Sequence, residues 1–203
     1  LTATIDEDDL RYSKIMNLIP PIKKYMIKDA VNDGRLSEPK IIFIPVQMNS
    51  EEKKTYEETT RTIKEISLKI KSSNPLVISK LLKTGGPRAR LAKLWFENVY
   101  KRKKLLTETK SKLNESVNIV KNHTTEKIMI FSETIESIDK ISETLKKNKI
   151  QSQVIHNKVK TKARQEILNV WGQNFFILLS VHTLEIGFDI PSVGIAIIVS
   201  NTK

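Results

Sequence analysis

The chain of 203 residues carries 35 Lys and Arg against 23 Asp and Glu, a formal net charge of +12, and it has no cysteine. That length holds one large domain, or one domain with an appendage, and buries about 70% of the unfolded surface without staples. Disulfides and thiolate chemistry are excluded; no apolar run approaches the ~20 residues of a membrane span; and the start, LTATIDEDD, lacks the basic-then-apolar layout of a secretory signal.

Three zones follow in chain order. Residues 1–48 are mixed: an acidic turn at Asp6-Glu7-Asp8-Asp9, a helix opened by Pro20-Pro21 and ending near Asp33 with Gly34 as its left-handed cap, then PKIIFIPVQM (39–48). The last run reads as a strand, with Pro45 placing it at a sheet edge or a bulge.

Residues 50–121 read as helical. Asn49-Ser50-Glu51-Glu52 is a capping signature, and Tyr56, Ile63, Ile66 and Ile70 fall on one helical face. Ser72-Ser73-Asn74-Pro75 breaks that helix. A second covers roughly 76–84 and ends at Gly85-Gly86-Pro87. Leu91, Leu94, Trp95 and Val99 make a stripe on a third, which gives Trp95 a core position rather than a base-stacking one. Leu106, Leu113, Val117 and Val120 make a stripe on a fourth.

The period then changes. KIMIFS (127–132), QSQVIH (151–156), FFILLS (175–180) and VGIAIIVS (193–200) read as strands. Between them lie amphipathic helices, one capped by Thr134 with Ile135, Ile138, Ile141 and Leu145 inward, another carrying Ala163, Ile167 and Trp171. Strands alternating with helices predict βαβ units, hence an α/β fold with a parallel sheet.

Charge is concentrated in one window. Between Lys80 and Lys112 eleven basic residues face only Glu97 and Glu108. A solvated surface is one reading of this window; a polyanion partner is the one its concentration favours. Three strands also end alike, on Ser132, Ser180 and Ser200. In a parallel sheet the carboxyl ends form one rim, where ligands of open α/β sheets sit, so the three hydroxyls are expected along that rim with helix N-termini beside them. The alternative is that serine merely terminates strands and caps helices. Gly187 permits a positive φ or a close backbone approach to a ligand, or is an ordinary turn glycine. His156 stands at a strand end as a structural or phosphate-side contact, and three histidines without cysteine speak against zinc. There is no G-x-x-x-x-G-K-[ST] phosphate loop and no Ser-His-Asp pattern.

FFILLSVHTLEIGFDIPSVGIAIIVS (175–200) resembles motif V of superfamily 2 helicases, and KIMIFSET (127–134) resembles motif IV. VIHNKVKTKARQEILNVW, with Arg164, resembles the stretch between them; LTAT (1–4) resembles motif III; and residues 25–58 resemble the start of the second lobe in the XPB-like branch, where a strand leads into a lysine-rich helical insertion, the thumb. Ile5 replaces the usual proline after motif III, and Glu185-Ile186 replaces the Ala-Arg of many relatives, which points away from the DEAD-box branch and fits XPB-like or Swi2/Snf2-like members.

The resemblance implies a RecA-like parallel sheet flanked by helices. Residues 1–36 would be the end of lobe 1 and a linker, and 37–203 the second lobe with a helical insertion at about 50–104. It implies an ATP-dependent DNA helicase or translocase, connected with repair or transcription, of which this piece is a fragment. The Walker motifs would precede it and motif VI would follow it, so no catalytic residue falls within it. ATP and Mg²⁺ would belong to the intact protein, with none bound by the fragment alone. Gly187 and Asp189 would face the nucleotide, and Thr2 and Thr4 would couple ATP state to lobe orientation. Ser132, Ser180, Arg88, Arg90, Lys101 and Arg102 would hold DNA backbone. Location would be cytoplasmic, or nuclear in a eukaryote. A nuclease or a repair complex is the partner class associated with such proteins, and no membrane is implied. The rival readings are a non-catalytic nucleic-acid-binding module of RecA-like shape, an RNA motor, and a doubly wound enzyme acting on a phosphorylated metabolite; the extended basic window argues against the last.

Overall fold

The computed structural model describes residues 26–35, 38, 40–181 and 193–199. The chain divides into two compact units, Leu1–Pro45 and Val46–Lys203. In the first, the described helix is α1 (Ile27–Asn32), and Gly34 follows it at φ +67°. Pro20 and Pro21 lie outside the described residues.

In the second unit a helical group precedes an α/β layer. The helices are α2 (Ser50–Ile70), α3 (Pro75–Leu81), α4 (Gly86–Thr107) and α5 (Lys110–Asn122). Next come β1 (Ile128–Ser132), α6 (Ile135–Lys147), β2 (Ser152–Ile155), α7 (Thr161–Val170), β3 (Ile177–Val181) and β4 (Ile195–Ile198). The four strands form one sheet in the order β2-β3-β1-β4, with every pairing parallel, as the alternation predicts.

Each start and stop has a local cause. Asn49 accepts from the Glu52 amide at 2.9 Å and Glu52 returns the bond to the Asn49 amide at 3.0 Å, which sets the start of α2. The other carboxylate oxygen of Glu52 accepts from the Lys110 amide at 2.9 Å, tying the start of α2 to the start of α5. Lys71 ends α2 in the left-handed conformation, and Asn74 with Pro75 begins α3. Thr134 caps α6 by accepting from the Ser137 amide at 3.2 Å.

Three apolar cores result. Leu113, Val117 and Val120 of α5 and Ile138, Ile141 and Leu145 of α6 cover one sheet face, meeting Ile128, Ile130, Ile177 and Leu179. Trp171, Phe175 and the partly buried Ile167 and Leu168 of α7 cover the other, against Met129, Ile155 and Leu178. The third is separate: Ile63, Ile66, Ile78, Ala92 and Trp95 hold α2, α3 and α4 together.

Two expectations change. PKIIFIPVQM forms no strand among its described residues, and Ile41, Ile42 and Phe43 are 75%, 66% and 90% exposed. A strand needs a neighbour for its backbone groups as well as apolar side chains, and among the described residues none pairs with it. On α4, Leu94 faces solvent at 43% exposure, and Ala92 and Phe96 take the inward places. The fourth stripe is divided between helices, Leu106 on α4 and Leu113, Val117 and Val120 on α5.

Candidate nucleic-acid interface

The parallel sheet brings the ends of β1, β2 and β3 to one rim. Ile155 and Phe131 each pair with Ser180, and Ser132 pairs with Val181. Ser132 and Ser180 are thus one step apart in register. Paired residues share a face and neighbours alternate, so the two hydroxyls leave opposite faces of the sheet. Ser180 lies with Phe131 and Ile155 on the α7 side; Ser132 lies with Ile130 and Val181 on the α6 side.

Both are also buried, Ser132 at 4% exposure and Ser180 at 0%. The Ser132 hydroxyl is hydrogen-bonded to that of Ser137 on α6. The expected alignment of strand ends is present, but the expected meeting of open hydroxyls along the rim is not, because the register offset separates them and the packing covers them. Ser200 lies outside the described residues, as do Thr2, Thr4, Gly187 and Asp189. His156 sits just past β2, where its Nδ1 accepts from the Lys158 amide at 3.2 Å and shapes the local turn. The Arg164 guanidinium donates to the Val159 carbonyl at 3.3 Å.

The basic window becomes α4 and its flanks. Gly85 and Gly86 enter the helix at φ +71° and +67°, which lets the chain leave α3 and turn directly into it. At about 1.5 Å per residue the 22 residues of α4 span roughly 33 Å. Trp95 anchors the inner face: it is 5% exposed, donates from Nε1 to the Ser67 hydroxyl at 2.9 Å, and meets Phe96 edge-on at 5.0 Å. Arg90 and Lys101 lie on the side away from Trp95, whereas Arg88 and Arg102, each seven positions from it, lie within about 20° of its direction. Arg90 and Lys101, eleven positions apart, differ by only about 20° around the axis and sit roughly 17 Å apart along it. Arg88 and Lys101 are exposed and Arg102 is half-buried. Among the described residues none of these four has an acidic partner.

The window is not uniformly free. Lys93 lies 4.0 Å from Glu97, and Lys104 lies 3.7 Å from Glu108. Lys103 pairs with Glu133 at 3.0 Å, and Glu108 also receives Lys140 at 2.6 Å. Lys112 donates to the Leu106 carbonyl at 2.8 Å; burial lowers its pKa below the usual lysine value, and the Glu133 carboxylate opposes that shift. This cluster joins α4 and α5 to the end of β1 and to α6. Sequence reading missed it, since only the four-residue spacing of Lys104 and Glu108 signals any part of it.

A groove of about 910 Å³ opens between α6, β2 and α7, lined by Lys149, Gln151, Ser152, Glu166 and Asn174 among others. It lies toward the amino ends of β2 and β3, away from the carboxyl rim. Among the described residues no three His, Asp or Glu side chains converge.

Residues 110–203 match the helicase conserved C-terminal domain family, and that segment contains the whole described sheet. In fold the chain is similar to the C-terminal domain of a Sulfolobus solfataricus SWI2/SNF2 ATPase, with 15% identity, 75% of this chain and 68% of that one covered, and a TM-score of 0.53. It is similar to the C-terminal part of the Fun30 ATPase domain, with 12% identity, coverage of 77% and 72%, and a TM-score of 0.53. It is also similar to the Sulfolobus solfataricus SWI2/SNF2 ATPase core in complex with dsDNA, at 14% identity and a TM-score of 0.52, covering 75% of this chain and 33% of that one. At these identities the likeness is one of fold, and it makes this sheet RecA-like. No curated protein matches the chain in sequence.

Proposed function

We propose that the chain is the C-terminal RecA-like lobe of an ATP-dependent DNA helicase or translocase of superfamily 2, holding DNA backbone and forming one wall of the ATP site. The observation that carries this reading is the helicase C-terminal family match across the complete described sheet. The DNA part rests on α4, where Arg90 and Lys101 share one side of a helix long enough to pass several phosphates and Arg88 stands exposed near its start. The resemblance of residues 25–58 favours the XPB-like branch and with it a role in repair or transcription.

In this reading Arg88, Arg90, Lys101 and Arg102 grip the sugar–phosphate backbone without reading bases. Ser132 and Ser180, assigned to the tracked strand by resemblance, are covered in this structure. Gly187 and Asp189 face the nucleotide and Thr2 and Thr4 couple the lobes, by resemblance. ATP and Mg²⁺ belong to the intact protein, where they supply phosphoryl transfer. This chain, which carries no phosphate loop, hydrolyses no ATP alone.

Binding to a short duplex across a salt series tests the reading. If six phosphates are neutralised, log K falls against log salt with a slope of roughly −5, equally for unrelated sequences. A flat titration removes the DNA assignment. Preference for a matched RNA duplex moves the protein to the RNA motors, and ATP turnover by the pure chain contradicts the lobe reading.

A further inference from the structure

We propose that Glu133 masks Lys103 as a stand-in for a DNA phosphate, making Lys103 a latent backbone contact at the sheet rim. The inference rests on the reading of α4 as a DNA-holding helix. Lys103 lies two residues after Lys101, about 200° around the axis, so it leaves the outward side of α4 and turns toward the sheet. Its ammonium meets Glu133 at 3.0 Å. Glu133 directly follows Ser132, the last residue of β1, and directly precedes Thr134, the cap of α6.

Among the ion pairs that α4 makes with described residues, this is the one that reaches the carboxyl rim. The carboxylate is held at 14% exposure, whereas the lysine stays 54% exposed. A fixed, shielded carboxylate facing a mobile, hydrated ammonium leaves the lysine free to exchange partners. Around it the cluster is cationic: Lys103, Lys104, Lys112 and Lys140 surround Glu108 and Glu133, an excess that attracts a further anion. A phosphate arriving at the rim supplies the same charge-assisted oxygen that Glu133 now offers, and Lys103 moves to it. The strand at the rim and the duplex on α4 would then be bridged by one side chain.

The test is a double-variant cycle on duplex binding with Glu133→Gln, Lys103→Ala and both together, each checked by thermal melting. Glu133→Gln keeps the shape and removes the competing charge. It is expected to bind duplex DNA several-fold more tightly, with the salt slope steeper by about 0.9, one extra phosphate. Adding Lys103→Ala should cancel both gains. A wild-type protein that binds DNA while Glu133→Gln shows the same affinity and slope overturns the mask but leaves the DNA reading intact. Weaker binding by Glu133→Gln with a lower melting temperature makes the pair a plain fastener between insertion and sheet and also overturns it. Wild type without duplex binding at low salt overturns both.

Discussion

Lys112 shows how one side chain carries the tension of this junction. Its ammonium is drawn out of water to reach the Leu106 carbonyl, and burial holds its pKa below the unfolded value. The folded state therefore binds that proton less tightly than the unfolded chain does. Below the folded pKa this disfavours folding, and the penalty fades as pH rises toward the unfolded lysine pKa near 10.4. Wild type is expected to gain stability relative to Lys112→Met as pH rises toward the unfolded lysine pKa. Urea denaturation of both proteins at several pH values measures it, and a constant difference refutes it. Residue-level reading of the sequence succeeded for caps and failed for the serines. Asn49 and Thr134 act locally, so their neighbours reveal them. The faces taken by Ser132 and Ser180 depend on the register between β1 and β3, which no local pattern encodes.

At the scale of elements, α4 depends on its start and on its inner anchor. Gly86 sits at φ +67° with open space where a Cβ would go, so Gly86→Ala meets only backbone strain. A loss of roughly 1–2 kcal/mol is expected in chemical denaturation; no loss would mean the turn relaxes freely. Trp95→Ala removes the centre of the core that holds α2, α3 and α4 together and is expected to cost about 3–5 kcal/mol there. Because that core is separate from the two cores on the sheet, the fluorescence of Trp171 should report a smaller shift for the sheet than circular dichroism reports for the helices. Equal shifts would show that the helical group and the sheet melt as one. The four strands and their flanking helices were legible because buried parallel strands read as apolar runs between helical periods. IIFIP at 41–45 misled for the same reason: apolarity announces a strand, but pairing makes one.

At the scale of the whole second unit, charge and fold converge on one use. A parallel sheet supplies a rim, a separately packed helical group carries the basic helix α4, and a cluster of two glutamates and four lysines joins them. Net charge and the basic window were visible in sequence; which cations are spent on glutamates was not, because Glu133 and Lys103 are 30 positions apart. The most direct measurement is the salt dependence of duplex binding for wild type and a variant with Arg88, Arg90, Lys101 and Arg102 all changed to Ala. The slope of log K on log salt should fall in magnitude from roughly 5 to about 2, with weaker binding at every salt concentration. Identical slopes for the two proteins would contradict the account, since the phosphates would then be held somewhere other than α4.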